Sequence, residues 1–469
     1  MTGPSGTGRS AGSWSRSSER LHRRRERVHI ETAQTIDFLV GHEREGTYFT
    51  IPFEMPANVE SFSLNYRYER HRESNLPAEG GSFTSRQEIN IIDLGLIAPD
   101  GHQVGASGSD KTEIRISETW ATPGYQRSPL VPGEWQILLG AYKVAPQGVT
   151  VLYELVFTPK RLRWFRGDLH IHTMSSDGVL SVEELAQHAR RHALDYLAIT
   201  DHNQMVSADS LPQRPDLTLI PGIEWTHYLG HANFLGADRP YDPPFSANSL
   251  EEVQARFQSA RARGALIVVN HPFDELCPFQ FEMDSLPYDC LEIWNGPMRA
   301  SNLQALGLWQ QMLTIGKKIP ICGGSDYHRD HLFIIPGGPT TCIRTTSASP
   351  ADLLSGLKRG HAYLTFASNG PSLEMTAGEA MPGDSVPFST VREVEITVSG
   401  LLVGDVLQVV TGHGSTVLLK AGTDGIFQGS HVMEQPGFVR IELLRGFVPG
   451  LPLLPALLSN PIYFDAGSS

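Results

Sequence analysis

The sequence predicts an α/β core set between two small β-sandwich domains. Three observations carry that expectation. Between about residues 166 and 365, apolar strand-like runs alternate with capped helical patterns. On either side, short alternating runs are separated by proline- and glycine-bearing turns. The 469 residues are 40% hydrophobic and 19% charged, enough apolar material for a large core and for two to four domains of ~100–200 residues.

Taken in order, residues 1–30 stand apart. They hold seven arginines against Glu19 and Glu26, and many serines and glycines. That composition offers no core and predicts an unstructured basic tail. Residues 31–160 read as a β-sandwich. Its strands are expected at Tyr48–Phe53, Ile89–Leu96, Trp135–Gly140 and Val149–Phe157, with turns at Pro99-Asp100-Gly101 and Pro132-Gly133.

Residues 161–366 form the α/β core. Leu169–His172 leads to Ser181-Val182-Glu183-Glu184, a capping-box pattern at a helix start. Strands follow at Leu194–Thr200, Leu217–Ile220 and Ala232–Leu235. Ser249-Leu250-Glu251-Glu252 opens a second helix before a buried strand at Ala265–Val269. Leu291–Trp294, a helix near 301–316 and Ile319–Cys322 complete the alternation, around a barrel-like or open parallel sheet. Residues 367–469 return to β-patterning, with strands at Val394–Val398 and Val406–Val410 and a closing strand at Asn460–Phe464.

The net charge is −13, and the basic tail contributes +5 of it, so the remainder is −13 − 5 = −18. That balance argues against a nucleic-acid partner, whose binding needs basic surface. No run of ~18 apolar residues appears, so no membrane partner is expected. The four cysteines lack C-x-x-C spacing, and no apolar signal core opens the chain. A reducing cytoplasm is therefore the expected location.

The chemistry lies in where His, Asp and Glu fall within the core. His170 and His172 are two apart on one strand, so both rings face the same way. Asp177 sits in the turn before the capped helix, and His202 directly follows a strand. Glu224 ends another strand, His231 starts the next, and His271 follows Val268-Val269-Asn270. Asp326 and His328 close the series. Strand ends are where α/β barrels gather their sites. Nine imidazole and carboxylate donors, without cysteine, suit two or three Zn, Mn or Fe ions.

The ordered motifs His170-x-His172-Thr173, Ser176-Asp177-Gly178, Thr200-Asp201-His202, Glu224, His271-Pro272 and Ser325-Asp326-x-His328 resemble those of the PHP (polymerase and histidinol phosphatase) superfamily. Arg166–His170, Glu224…His231-Ala232-Asn233-Phe234, Glu292-Ile293-Trp294-Asn295-Gly296 and Asn460-Pro461-Ile462-Tyr463 resemble its CehA/McbA-type branch more narrowly. The resemblance implies a distorted (β/α)7 barrel with a dinuclear or trinuclear metal centre. It implies His170, His172, Glu224 and Asp326 on a first metal, and Glu224, His231 and His271 on a second. Asp177, His202 and His328 would hold a third. Some members carry His where this chain has Asp177, a departure that bears on the third site.

The function this implies is hydrolysis of a small or medium organic phosphate mono- or diester. A hydroxide bridging two metals would be the nucleophile. Glu224, Asp326, His202 and His328 are the residues expected to take part in catalysis, with His202 or His328 able to protonate the leaving alkoxide. A carbamate, ester or amide hydrolase on the same centre is the alternative. A non-catalytic binding scaffold is a third reading, which the complete ligand set disfavours. The single G-x-S-x-G match, Gly8–Gly12, lies in the tail, and no P-loop is present, so serine-hydrolase and NTPase readings lose support.

Other residues carry smaller expectations. Asp168 and Asp201 are placed to hydrogen-bond ligand imidazoles. His227 reads as an exposed loop residue, and His188 and His192 as solvated. Trp294 reads as core, with Asn295 lining the pocket. Arg299, Arg329 and Arg344 are candidate phosphate contacts. Cys322 reads as inert core.

Overall fold

A computed structural model describes residues 32–78 and 81–466. The basic tail expected at 1–30 lies outside the described residues. The chain is mixed α/β and mostly sheet. Among the described residues, no helix is long and apolar enough to cross a membrane.

The N-terminal segment forms two four-stranded antiparallel sheets. One contains Thr32–Val40, Val149–Pro159, Val59–Arg67 and Glu113–Ser117; the other contains Thr47–Met55, Gly133–Lys143, Ile91–Ile97 and Gln103–Ser107. Alternation along Val149–Pro159 puts every second residue inside, with Val151, Tyr153 and Leu155 fully buried. One apolar core lies between the sheets, including Phe62, Trp135, Ile137 and Tyr153.

The central strands are β1 (Arg163–Asp168), β2 (Tyr196–Ile199), β3 (Thr218–His227), β4 (Gly230–Leu235), β5 (Leu266–Val269), β6 (Cys290–Asn295), β7 (Ile321–Gly324), β8 (Thr340–Thr345) and β9 (Ala362–Thr365). The helices are α1 (Val182–Arg191), α2 (Leu250–Ala262), α3 (Ala300–Thr314) and α4 (Pro350–Lys358). Sheet order runs β7-β6-β5-β4-β3-β2-β1-β8-β9. The predicted capping box is present: Ser181 Oγ accepts from Glu184 N, and the Glu184 carboxylate accepts from Ser181 N. Ser249 Oγ caps α2 by accepting from Glu252 N, while the Glu252 carboxylate accepts from Asn248 N instead.

The sheet departs from the expected parallel order in two places: β8 runs antiparallel to β1 and β9, and β4 is reversed within the parallel run. β4 runs antiparallel to both β3 and β5. Only Tyr228 and Leu229 separate β3 from β4, too few residues for a crossover helix, so the chain turns back as a hairpin. No strand ladder joins β1 to β7. Beyond their ends they meet at one parallel bridge, Ile171 with Tyr327. There Asp326 N donates to His170 O at 2.9 Å, and His172 N to Tyr327 O at 3.0 Å.

A single apolar cluster draws residues from every one of these nine strands. Phe165, Ala198, Ile220, Leu235, Val268, Cys290, Cys322, Ile343 and Ala362 belong to it, with Leu353 and Leu357 of α4. The alternate residues Leu197 and Ile199 of β2 pack on the other side, with Leu185 and Ala189 of α1. Cys322 is buried in this core, as its apolar surroundings suggested.

The C-terminal strands continue the central sheet. Leu454–Ser459 pairs antiparallel with β9, and Gly437–Arg445 pairs with Leu454–Ser459. A three-stranded sheet of Ser372–Thr376, Glu393–Leu401 and Gly425–Val432 packs against them over a shared core. The predicted last strand runs Ile462–Asp465, between Gly437–Arg445 and Ser385–Pro387.

Candidate metal centre

Every sequence-predicted site residue falls at one end of β1–β7. β1, β2, β3, β5, β6 and β7 deliver side chains from their C-terminal ends. β4 delivers His231 from its start, because a reversed strand begins where its neighbours finish.

His170 and His172 are fully buried, their rings 5.2 Å apart. Glu224, 1% exposed, reaches five imidazoles. Its Oε1 lies 3.3 Å from His170 Nε2, 3.1 Å from His231 Nδ1 and 3.3 Å from His271 Nε2. Its Oε2 lies 2.8 Å from His202 Nδ1 and 3.4 Å from His172 Nε2. Asp326 Oδ1 sits 3.0 Å from His172 Nε2 and 3.4 Å from His170 Nε2. Asp177 approaches His328 Nε2 at 3.2 Å and His202 Nε2 at 3.7 Å.

The backbone is held in uncommon conformations here. His271 has φ 25°, Asp326 φ 51° and Asn203, beside His202, φ 51°. Left-handed backbone in non-glycine residues is costly and collects at functional sites. Asn203 is clamped to β3: its N donates to Glu224 O at 2.9 Å and its Nδ2 to Thr226 O at 3.1 Å.

Electrostatics follow from this packing. Burial alone would raise the Glu224 carboxyl, but His170, His202 and His231 hold it well below the usual range. Asp326 behaves alike: burial raises it, and His170 and His172 pull it further down. Burial lowers His170, yet Asp326, Glu292 and Glu224 carry it well above the ordinary imidazole value. His172 is lowered by burial.

The donor set fits divalent metal ions. His170 Nε2, both ring nitrogens of His172, Glu224 Oε2 and Asp326 Oδ1 are buried and satisfy no hydrogen-bond geometry. Buried polar atoms are normally paired, and several orphans facing one another mark the ligand shell of a cation. Their atoms group within 4.8 Å as His170, His172 and Asp326; as His170, Glu224 and His271; as His202, Glu224 and His231; and as His172, Asp177, His202 and His328.

Some lesser expectations are corrected. Asp168 touches no imidazole. It accepts from the backbone N–H of His170, Ser325 and Gly337, tying β1 to the chain after β7. Asp201 instead fixes the turn before Asp177, accepting from Thr173 N, Thr173 Oγ1 and Ser176 Oγ at 2.6–2.7 Å. His227 is half-buried, stacked on Trp225, with Nε2 3.0 Å from Ala247 O, because the hairpin folds its ring inward. His188 and His192 are half-buried as well, as His188 packs near the buried Tyr327 ring. Arg344 pairs with Glu374 and stacks on Trp164. Arg299 bonds Asn295 and Asp274, and Arg329 donates to Asp177 O. Trp294 is core, and Asn295 Nδ2 donates to Asp326 Oδ2 at 3.2 Å.

Three residues at the centre have no chemical role in the sequence reading, although Glu292 opens one of the motifs that carry the resemblance. Asn270 Nδ2 donates to Glu224 Oε1 at 2.9 Å. Glu292, 2% exposed, lies 3.0 Å from His170 Nδ1. Cys277 comes within 4.8 Å of His231 and His271 donors, so the surroundings are not free of sulfur. A glutamate inside the apolar run Leu291–Trp294 is a signal for Glu292, since unpaired carboxylates are almost never buried. Asn270 and Cys277 carry no such signal.

Residues 168–258 match the PHP domain family. A 3',5'-nucleoside bisphosphate phosphatase of Chromobacterium violaceum is 31% identical over 105 residues, 21% of this chain and 36% of that protein. The DNA polymerase/3'-5' exonuclease PolX of Bacillus subtilis is 24% identical over 194 residues, 37% of this chain and 32% of that protein. The chain thus spans about a third of the length of these curated relatives. Among solved structures, a two-domain Bacteroides vulgatus protein described as containing a predicted PHP-like metal-dependent phosphoesterase matches with TM-score 0.37 and 15% identity. The match covers 64% of this chain and 95% of that one.

Proposed function

We propose that this chain is a metal-dependent phosphoesterase of the PHP superfamily, acting on a small or medium organic phosphate mono- or diester. The observation that carries the reading is the convergence of buried, unpaired imidazole and carboxylate atoms around Glu224. The PHP-domain match over 168–258 supports it. The Glu292–Gly296 and Asn460–Tyr463 motifs support the CehA/McbA-type branch, and the near-closure of β1 on β7 supports a distorted seven-stranded barrel.

His170, His172, Glu224 and Asp326 would hold one divalent ion, Glu224, His231 and His271 a second, and Asp177, His202 and His328 a third. Such ions supply Lewis acidity and make water a nucleophile near neutral pH. The chain's own part is placement. Glu224, anchored by Asn270, keeps its oxygens directed to both sides of the centre. His202 and His328 lie toward the more exposed Asp177 side, where a ring outside the ligand shell can hand a proton to a leaving alkoxide.

The face around the centre favours a compact substrate. Loops 169–181, 200–213, 228–229, 270–289, 296–299 and 325–339 hold two arginines against ten carboxylates. Both arginines, Arg299 and Arg329, are already engaged. A polynucleotide would need free cations along its backbone.

Nitrophenyl phosphates, bis-nitrophenyl phosphodiesters and aryl carbamates, each with added Mn²⁺ or Zn²⁺, test the reading. Chelator-sensitive turnover of a phosphoester is expected. Turnover confined to carbamates would install the alternative chemistry. Protein that binds no divalent metal and hydrolyses none of these would overturn the metallohydrolase.

A further inference from the structure

We infer that Glu292 is the positioning residue of the centre, a buried carboxylate that fixes the tautomer of His170 and the strained backbone of His271 together. The inference rests on the metal-dependent reading above and adds a residue that takes no direct place among the ligands.

Glu292 lies on β6, between the strands and loops that carry the two histidines. Its Oε1 is 3.0 Å from His170 Nδ1. Its Oε2 accepts from His271 N at 3.0 Å and from Asn295 Nδ2 at 3.3 Å. The same Asn295 amide reaches Asp326 Oδ2 at 3.2 Å. One side chain therefore touches, directly or through one amide, donors brought in after β1, β5 and β7. β5 and β7 flank β6 in the sheet, whereas β1 reaches β7 only through the bridge beyond their ends.

The chemistry of the two His170 nitrogens follows. A carboxylate accepts only, so His170 Nδ1 carries the proton toward Glu292. The other nitrogen, Nε2, faces Glu224 Oε1 at 3.3 Å and Asp326 Oδ1 at 3.4 Å, and is the ring atom left for a cation, a proton or a metal ion. Two carboxylate oxygens and a ring nitrogen in buried contact need positive charge among them, a proton on Nε2 or a divalent ion in its place. Glu292 thus commits His170 to the ligating tautomer, as a carboxylate behind a metal-bound imidazole does. At His271 the same carboxylate secures the peptide N–H of a residue at φ 25°. Removing that acceptor would free the backbone to relax toward ordinary φ and swing the ring from Glu224.

Glu292→Ala and the size-conserving Glu292→Gln test this in the full chain. Glutamine has one accepting oxygen, so the bonds at one of the two carboxylate oxygens are lost and an amide N–H meets a donor. Divalent affinity, measured by Co²⁺ and Mn²⁺ titration against a chelator, is expected to fall 10–100-fold in both variants. The metal-free melting temperature of Glu292→Gln should stay within a few degrees of wild type, while the rise on adding metal shrinks. Excess Mn²⁺ should recover much of the lost turnover. A purely structural role would lower the metal-free melting temperature and leave the affinity of folded protein unchanged, and that result overturns the inference. Wild-type affinity and stoichiometry in Glu292→Gln would do the same, even if Glu292→Ala fails to fold. Wild-type protein that binds no divalent metal would instead remove the phosphoesterase reading on which the inference stands.

Discussion

Glu224 is the residue on which the centre turns, because its two oxygens divide five imidazoles between them. Glutamine at this position keeps the volume but loses the charge, and its nitrogen cannot ligate a cation. Glu224→Gln should therefore lower kcat/KM on the best phosphoester by more than about 100-fold, exceeding the usual loss from a mere supporting contact. Metal content should fall with it. His227, three positions on, makes a different kind of contribution. Its Nε2 faces Ala247 O and its Nδ1 accepts from Leu229 N at 3.1 Å, so it fastens the hairpin to the chain beyond β4. His227→Ala should cost about 1–2 kcal/mol of stability, read by thermal unfolding, and change kcat/KM by only a few-fold. A glutamine variant with near wild-type turnover, beside a dead alanine variant, would show that the centre is misplaced.

At the scale of the element, the junction of β1 with β7 leaves no room for a side chain. A Cβ on Gly324 would lie 2.3 Å from His170 Cβ and 2.8 Å from His170 N. The strands approach closely enough for the bridge beyond them only because this position has no side chain. Gly324→Ala should destabilise the protein by about 1–3 kcal/mol, as overpacking does, and lower divalent affinity by moving His170. Gly307 is the counterpart. It sits exposed within α3, and a Cβ there meets nothing within 4 Å. Gly307→Ala should raise stability by about 0.5–1 kcal/mol without touching the centre. Paired unfolding curves and metal titrations check both. Equal effects from the two substitutions would refute the packing account.

For the whole molecule, the buried cores mark which parts depend on each other. The N-terminal core is built from residues between 40 and 157. The core beneath the metal centre includes Phe438, Leu458 and Tyr463 from the C-terminal strands. Asn460, 1% exposed, accepts from Ile321 N at 2.9 Å at the start of β7 and donates to Ala362 O at 3.1 Å. A polypeptide of residues 160–469 should consequently fold and bind divalent metal, whereas residues 32–366 should keep only the N-terminal sandwich and bind none. Circular dichroism and metal titration of the two would decide it, and a stable, metal-binding 32–366 would refute the dependence. The sequence by itself determined the donor types, their placement at strand ends and the helix starts at Ser181 and Ser249. Residue identity, period and capping chemistry are local properties that hold whatever the chain packs against. Only the tertiary structure decided that β4 reverses, that Glu292 stands behind His170, and that Leu454–Ser459 extends the central sheet rather than opening a separate one. Each of these depends on which distant strand lies alongside, and the pairing is set by packing between residues far apart in sequence, where a local pattern carries no information.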